Sequence, residues 1–504
     1  MKSSQQEVEV KLGVWPGFRL PDLAGVVEGA SASATVEQHL EATYYDTPDF
    51  RLGRGGLSLR HRGGDGTGWT LKLPDAGGRS DGAMARTEMT FHGDAGTVPA
   101  EVATLLTSWV RTSLLVPVAR LDTLRRSTEV VDEEGTRLAE VVDDEVSVLH
   151  DRRVALRFRE VEAEVAEEAP EGLLDALVAR LRAAGAGPPD PTSKVKRALG
   201  PVAGGAPELV EQALGPDPTG AEVIRAVITR SVLRLLDHDP GVRLGQDAEQ
   251  VHQARVATRR LRSDLRTFGD LLDPEWAGGL REGLKEVADA LGAVRDTDVL
   301  LERLGRQLTS LTSDDAVPGN QLLDQLRDER AEARERLATV MEGQEYAVLL
   351  DRLIEAARRP KVLPGATAPA TDVLPPLVRR PWRHLFQAAE AVEPDGPDEA
   401  LHEVRIRAKR CRYAAEAVAL AVGRPASRFA SAVAEVQEVL GEHQDAVVTQ
   451  AWLRRHGTAA TPGVALVAGE LLAASGADAA SAREAWPAAW AVARKGKLRE
   501  WMSA

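Results

Sequence analysis

The spacing of apolar residues changes once along the chain, and that change excludes a single fold. Up to about residue 200, short runs alternate apolar and polar positions: Glu7-Val8-Glu9-Val10-Lys11-Leu12, Leu57-Ser58-Leu59-Arg60-His61-Arg62, Trp69-Thr70-Leu71-Lys72-Leu73 and Phe158-Arg159-Glu160-Val161-Glu162-Ala163-Glu164-Val165. This is the two-residue period of strands. Two helix candidates, 101–110 and 171–184, lie between the strands. From about residue 220 onward the stretches are long, helical in period and rich in Ala, Leu, Arg and Glu. They break near 309–320 and more strongly across 359–376, where Pro360, Pro364, Pro369, Pro375 and Pro376 make a continuous helix implausible. Residues 201–219, with Gly204, Gly205, Pro207, Pro216 and Pro218, read as a linker. The expectation is an α+β multidomain chain, with an antiparallel sheet unit at 1–200 and an all-helical unit at 220–504 whose halves span about 220–358 and 376–504.

At 504 residues, 43% hydrophobic and 28% charged, the chain has the apolar material for more than one core, which rules out wholesale disorder. The single cysteine, Cys411, excludes an intramolecular disulfide and a thiolate zinc site. Apolar runs such as 417–422 and 464–468 fall far short of a ~18-residue span, and the first residues lack a signal-peptide core. A cytoplasmic location without a membrane partner is the expectation. The net charge of −14 counts against non-specific nucleic-acid coating, and with 4% aromatics there is no stacking platform for a specific one. Only 10 of the 63 basic residues are lysine; arginine's fork suits phosphate, although a GC-rich genome produces the same skew.

In a strand, side chains two apart share a face. Glu7, Glu9 and Lys11 therefore form one row, Arg60 and Arg62 another, Thr70 and Lys72 a third, Arg86 and Glu88 a fourth, and Glu160, Glu162 and Glu164 a fifth. Any one row suits a solvated sheet face. Five together describe a face crowded with acids and bases, which a closed barrel would place inside and which a polyanion with a divalent metal would neutralise. Glu7-x-Glu9-x-Lys11 resembles the signature of the CYTH family, the triphosphate tunnel metalloenzymes. Tyr44-Tyr45-Asp46-Thr47-Pro48, Leu59-Arg60-His61-Arg62, Leu71-Lys72, Arg86-x-Glu88, Arg125-Arg126, Glu160-x-Glu162-x-Glu164 and Ser193-Lys194-x-Lys196-Arg197 follow in the family's order. The resemblance implies an antiparallel eight-stranded β-tunnel. It assigns Glu7, Glu9, Asp143, Glu162 and Glu164 to Mg²⁺ or Mn²⁺, and Lys11, Arg60, Arg62, Lys72, Arg125 and Lys194 to a triphosphate substrate. Glu88 and Glu160 take either a metal or a pairing role.

The helical half repeats itself. Val251-His252 through Leu261-Arg262 matches Leu401-His402 through Cys411-Arg412 at an offset of 150. At 100° per residue, His252, Arg255, Arg259, Arg262 and Arg266 cluster within about 80° of arc. Ala254, Ala257, Leu261, Leu265 and Phe268 form the opposite, core-facing set, and His402, Arg405, Lys409 and Arg412 reproduce the stripe. Like charges at this spacing repel. Either acids such as Asp296, Asp298 and Asp445 compensate them, or a polyanion does. The segments around His252 and Leu291-Gly292-x-x-Arg295-Asp296-x-Asp298 are similar to the CHAD domain, the conserved-histidine α-helical domain. That resemblance implies duplicated helical bundles around a basic cavity that binds inorganic polyphosphate; Arg260 and Arg410, in the same motifs, join the binding set. The second half departs from the pattern, with Lys409 where the first has Arg259 and Gln444 where it has Arg295.

The functional expectation is metal-dependent hydrolysis of inorganic triphosphate beside a polyphosphate-binding module, with association to polyphosphate granules. Hydrolysis or cyclisation of an organic triphosphate such as thiamine triphosphate or ATP, and a non-enzymatic polyphosphate scaffold, are the alternatives.

Overall fold

The computed structural model describes residues 3–64, 68–74, 84–151, 153–166, 169–458 and 460–503, with backbone only at 3–8, 64, 74 and 84–86. The chain divides into two compact units between Glu208 and Leu209.

The first unit is built on β1 (Ser3–Val14), β2 (Ser31–Ala32), β3 (Val36–Asp46), β4 (Ser58–Gly64), β5 (Gly68–Pro74), β6 (Met84–Phe91), β7 (Val116–Val131), β8 (Arg137–His150) and β9 (Arg153–Val165). Every pairing is antiparallel, in the order β7-β3-β4-β5-β6-β1-β9-β8, and β8 pairs back to β7. Eight strands thus close a ring without an edge, while the two-residue β2 adds to β7. The apolar phase of β1, β8 and β9 faces outward, under the helix α1 (Leu173–Ala183). Leu173, Leu177 and Leu181, four residues apart, are fully buried there with Val10, Leu12, Val141 and Val161, each leucine contributing roughly 1.5–3 kcal/mol. The outer phase thereby becomes the core, which leaves the charged phase for the interior of the ring.

Asp46, in the Tyr-Tyr-Asp-Thr-Pro run, ends β3 by accepting from the backbone N–H groups of Thr47, Leu52 and Gly53 at 2.7, 2.9 and 2.8 Å. A short helix, α2 (Lys194–Leu199), begins at Ser193, whose hydroxyl accepts from the Lys196 N–H. Val195 of α2 packs with Tyr44, Leu121 and Val146 of the ring, which seats Lys194 against the interior.

The second unit is helical: α3 (Gly220–Leu244), α4 (Ala248–Thr267), α5 (Pro274–Leu308), α6 (Ala316–Glu342), α7 (Gln344–Arg358), α8 (Pro375–Glu390), α9 (Asp398–Val422), α10 (Arg424–Gly457) and α11 (Pro462–Ala493). The starts are written locally. Thr219 and Glu222 form a capping box, Asp247 caps α4, and Asp273 caps α5 ahead of Pro274. The long helices α5 and α10 follow α4 and α9, as the repeat requires. Ala254, Ala257, Leu261 and Leu265 of α4, Phe268 at its C-terminal cap, and Val404, Ala408, Cys411, Ala415 and Val418 of α9 are all buried, the two core-facing sets meeting in one hydrophobic cluster. Gly343 splits α6 from α7, a break that periodicity does not announce. The alanine-rich α11 is, among the described residues, the one helix of a length and composition that match a membrane span, which a search for unbroken apolar runs misses. It buries Val464, Val467, Leu471, Trp486 and Trp490 in the helical unit.

Candidate functional site

Within the ring, β1, β7, β8, β9 and α2 bring four carboxylates and three cations together. Lys11 Nζ lies 2.8 Å from Glu162 Oε1 and 3.3 Å from Glu9 Oε1. Lys194 Nζ reaches Glu162, Glu160 and Asp144 at 2.7, 2.8 and 3.0 Å. Arg125 forks onto Asp144, Nε and Nη2 donating at 2.9 and 2.7 Å, with Glu162 at 3.6 Å. Burial works against each of these charges and the partners outweigh it for most. Glu162 and Glu9 hold the Lys11 ammonium above its ordinary range, Glu162 and Asp144 hold Lys194 well above, and Lys11 and Lys194 hold Glu162 well below. At Glu160 burial wins and lifts the carboxyl above its usual range.

Around the ring, on β4, the balance reverses. Arg60 and Arg62 lie on one face, with Tyr44 in register opposite Arg60 on β3. Lys72 is held by Glu88 at 2.7 Å, and Arg60 is 3.8 Å from the same carboxylate. Among the described residues Arg62 has no carboxylate partner. Repulsion from Arg60, followed by burial, pushes it down to about 10. The Tyr44 phenol, despite burial, is drawn below its ordinary range by Arg60 and Lys194.

The arrangement gathers Lys11, Arg60, Arg62, Lys72, Arg125, Lys194, Glu9 and Glu162. Glu164 stands in register opposite Glu9 on one side and Glu140 on the other, a row of carboxylates across three strands. Glu7 pairs with Arg86 through the backbone, and its side chain lies outside the described residues. Asp143 takes a different place from the one expected. It turns to the outer face, where Arg159 forks onto it at 2.8 and 2.6 Å, and its neighbour Asp144, fully buried, faces inward. Two consecutive aspartates carry no phase of their own; the signal that separates them is the register Asp144↔Arg125, which a single strand does not contain. Tyr44, Glu140 and Asp144 are the members of the site that sequence reasoning missed.

Among the described residues no three acidic, histidine or cysteine side chains converge into a formed metal cage. The donor chemistry nonetheless fits a hard divalent cation. The interior offers carboxylate oxygens, the hard donors such a cation takes, with Glu9, Glu164 and Glu140 side by side across three strands.

In the helical unit, His252, Arg255 and Arg259 of α4 and His402, Arg405 and Lys409 of α9 line one cavity of about 470 Å³, together with Arg295, Asp296, Gln444 and Asp445. Arg255 pairs with Asp296 at 2.9 Å and Arg405 approaches Asp445 at 3.9 Å; Asp298 is taken by Arg330 instead. Two carboxylates therefore face five cationic side chains. Burial, reinforced by Arg259, Arg405 and Arg255, pushes Lys409 down to about 7, and burial with Arg295 lowers His252. The stripe is not all one site. Arg260 and Arg412 both pair with Glu416, Arg262 does not line the cavity, and Arg266 and Arg410 line a different one.

A closed antiparallel ring with a charged interior, followed by a duplicated helical unit with a basic cavity, defines a two-domain class. The CYTH domain model matches residues 5–198 and the CHAD domain model residues 226–454, so the chain belongs to the proteins that join a CYTH domain to a CHAD domain. It is 34% identical over 482 residues to the uncharacterized protein Rv2226 of Mycobacterium tuberculosis, covering 90% of this chain and 89% of that one. Among solved structures, PptA from Streptomyces chartreusis is 26% identical, with a TM-score of 0.46, over 54% of this chain and 99% of that one. The CHAD domain from the plant Ricinus communis is 25% identical, with a TM-score of 0.45, over 56% and 94%. CYTH proteins are triphosphatases or cyclases and generally depend on a metal, which places the N-terminal unit in a family of enzymes that act on triphosphates.

Proposed function

We propose that the ring hydrolyses inorganic triphosphate with Mg²⁺ or Mn²⁺, and that the His252–His402 cavity binds inorganic polyphosphate. The observation that carries the first reading is the two-sided interior: on β4, Arg60 beside Arg62, which has no carboxylate partner among the described residues, and buried carboxylates on β1, β8 and β9. A triphosphate with its metal brings both complementary charges at once. Arg60, Arg62 and Lys72 grip phosphoryl oxygens, and Lys11, Arg125 and Lys194 exchange carboxylates for phosphate as the ligand enters. Glu9, Glu164 and Glu140 would hold the cation, which supplies charge neutralisation on the phosphate oxygens. Water attacks the terminal phosphorus, the bridging P–O bond breaks, and orthophosphate and pyrophosphate leave with release of a proton. Fixed cations aimed at the developing charge supply most of the acceleration.

The test is phosphate release from tripolyphosphate, thiamine triphosphate and ATP with each metal. Tripolyphosphate turning over fastest supports the reading, an organic substrate replaces it, and no release from any makes the ring a binding module. For the helical cavity, filter binding to long-chain polyphosphate that weakens steeply with salt is the corresponding result.

A further inference from the structure

The repeat is broken at one informative position. Offset by 150 residues, Arg266 of α4 corresponds to Glu416 of α9. Glu416 accepts from Arg412, one turn back on its own helix, and from Arg260 on the facing helix. The equivalent pair in the other half is Arg262 and Arg410, and these face Arg266. One end of the α4–α9 pair is thus an internally neutralised Arg–Glu–Arg cluster, and its counterpart is three arginines.

That counterpart opens onto a cavity of about 510 Å³ lined by Arg266, Arg380, His384, Arg407 and Arg410. Its contents differ from the His252–His402 cavity in every residue. Arg407 is engaged by Glu403 and lies 3.5 Å from His384 Nδ1. Among the described residues Arg266, Arg380 and Arg410 have no carboxylate partner, although Asp270 lines the rim. Arg281 and Arg262 add to the positive field on Arg266, and Arg380 and Arg383 to that on His384. Pro376, Leu377 and Pro381 supply an apolar wall. The fold already contains the solution that needs no ligand, a glutamate at this position, and in this half it is absent.

We propose that this cavity is a second anion site, separate from the His252–His402 cavity, and that it takes phosphoryl groups. Forked guanidinium donors match phosphoryl oxygens two at a time, and the volume falls in the range of small-molecule sites. The phosphoryl groups come either from a small free phosphate ester or anhydride, or from a polyphosphate chain that continues past Arg262.

The test is Arg266→Glu in the full chain, which copies the other half of the repeat. The ring and the His252–His402 cavity are common to both proteins, so the difference between them isolates this site. Calorimetric titration with inorganic pyrophosphate and with long-chain polyphosphate is the measurement, and thermal unfolding reports the fold. The variant is expected to retain or raise its unfolding temperature while losing about tenfold or more in affinity at one site. Loss confined to pyrophosphate identifies a separate small anion; loss that includes the long chain identifies polyphosphate as the source. Wild-type binding of both probes by folded Arg266→Glu overturns the proposal. Should that variant not fold, Arg380→Ser with Arg410→Ser carries the same comparison, and unchanged binding there is equally decisive.

Discussion

The two units solve opposite electrostatic problems. In the ring Lys11, Lys72, Arg125 and Lys194 each sit within 2.7–3.0 Å of a carboxylate, and Lys194 alone serves three. In the helical cavity five cationic side chains share Asp296 and Asp445. A matched interior suits a ligand that carries both signs, such as a metal-bound triphosphate, because each protein charge finds a new partner on binding. An unmatched cavity suits a bare polyanion. The difference teaches that positive charge alone does not distinguish the sites; the count of acids around it does.

Removing a cation from the matched interior should have the largest effect. Lys194→Met takes one cation from Asp144, Glu160 and Glu162 together, two of which are fully buried, and leaves them only Arg125, Arg197 and Lys11 among the described residues. The expected loss is about 3–5 kcal/mol of stability, read by denaturant unfolding, together with loss of activity. A folded, fully active Lys194→Met would show that the matched network is dispensable.

Arg62→Ala sharpens the contrast inside the same ring. Arg62 is repelled by Arg60 and has no carboxylate partner among the described residues. Its removal should leave the unfolding midpoint unchanged or higher while kcat/KM for tripolyphosphate falls by roughly 10²-fold. A drop in stability with activity intact would assign Arg62 to structure.

These contrasts were partly legible in the sequence, and the limits are physical. Alternation in Glu7–Leu12 and at 158–165 places strands and tells which residues share a face. Which of Asp143 and Asp144 belongs to the interior depends on pairing with Arg125, a partner 19 residues away. The helical stripe shows the same limit. Period 3.6 groups Arg255, Arg259, Arg262 and Arg266, and the neighbouring helix then divides them, because Tyr413 receives Arg259 at 2.6 Å while Arg266 meets Arg410. Local period fixes a face, and tertiary register decides what that face meets.

In the unmatched cavity, truncation should cost affinity without costing the fold. Arg255→Ala with Arg405→Ala removes two cations that face a bound chain and frees Asp296 and Asp445 to solvent. Affinity for long-chain polyphosphate is expected to fall by about tenfold or more, with a shallower dependence of log affinity on log salt. An unchanged slope would mean that the chain binds elsewhere.

The smallest effect follows from the one place where the repeat exchanges arginine for lysine. Lys409, at about 7, faces Arg255, Arg259 and Arg405 with Asp445 as the opposing acid, and His252, His402, Arg295 and Asp296 line the same cavity. Below pH 7 its ammonium is charged and contributes to anion binding; above pH 7 the amine is neutral and the contribution is lost. A bound polyanion favours the charged form, so binding takes up a proton. Polyphosphate affinity should therefore fall a few-fold between about pH 6 and pH 8. Burial, reinforced by Arg295, lowers His252 below the ordinary imidazole range, so the basic limb above pH 7 belongs to Lys409. Lys409→Arg should flatten that limb and leave the acid limb in place. A profile that keeps its basic limb in Lys409→Arg would remove the lysine from the account.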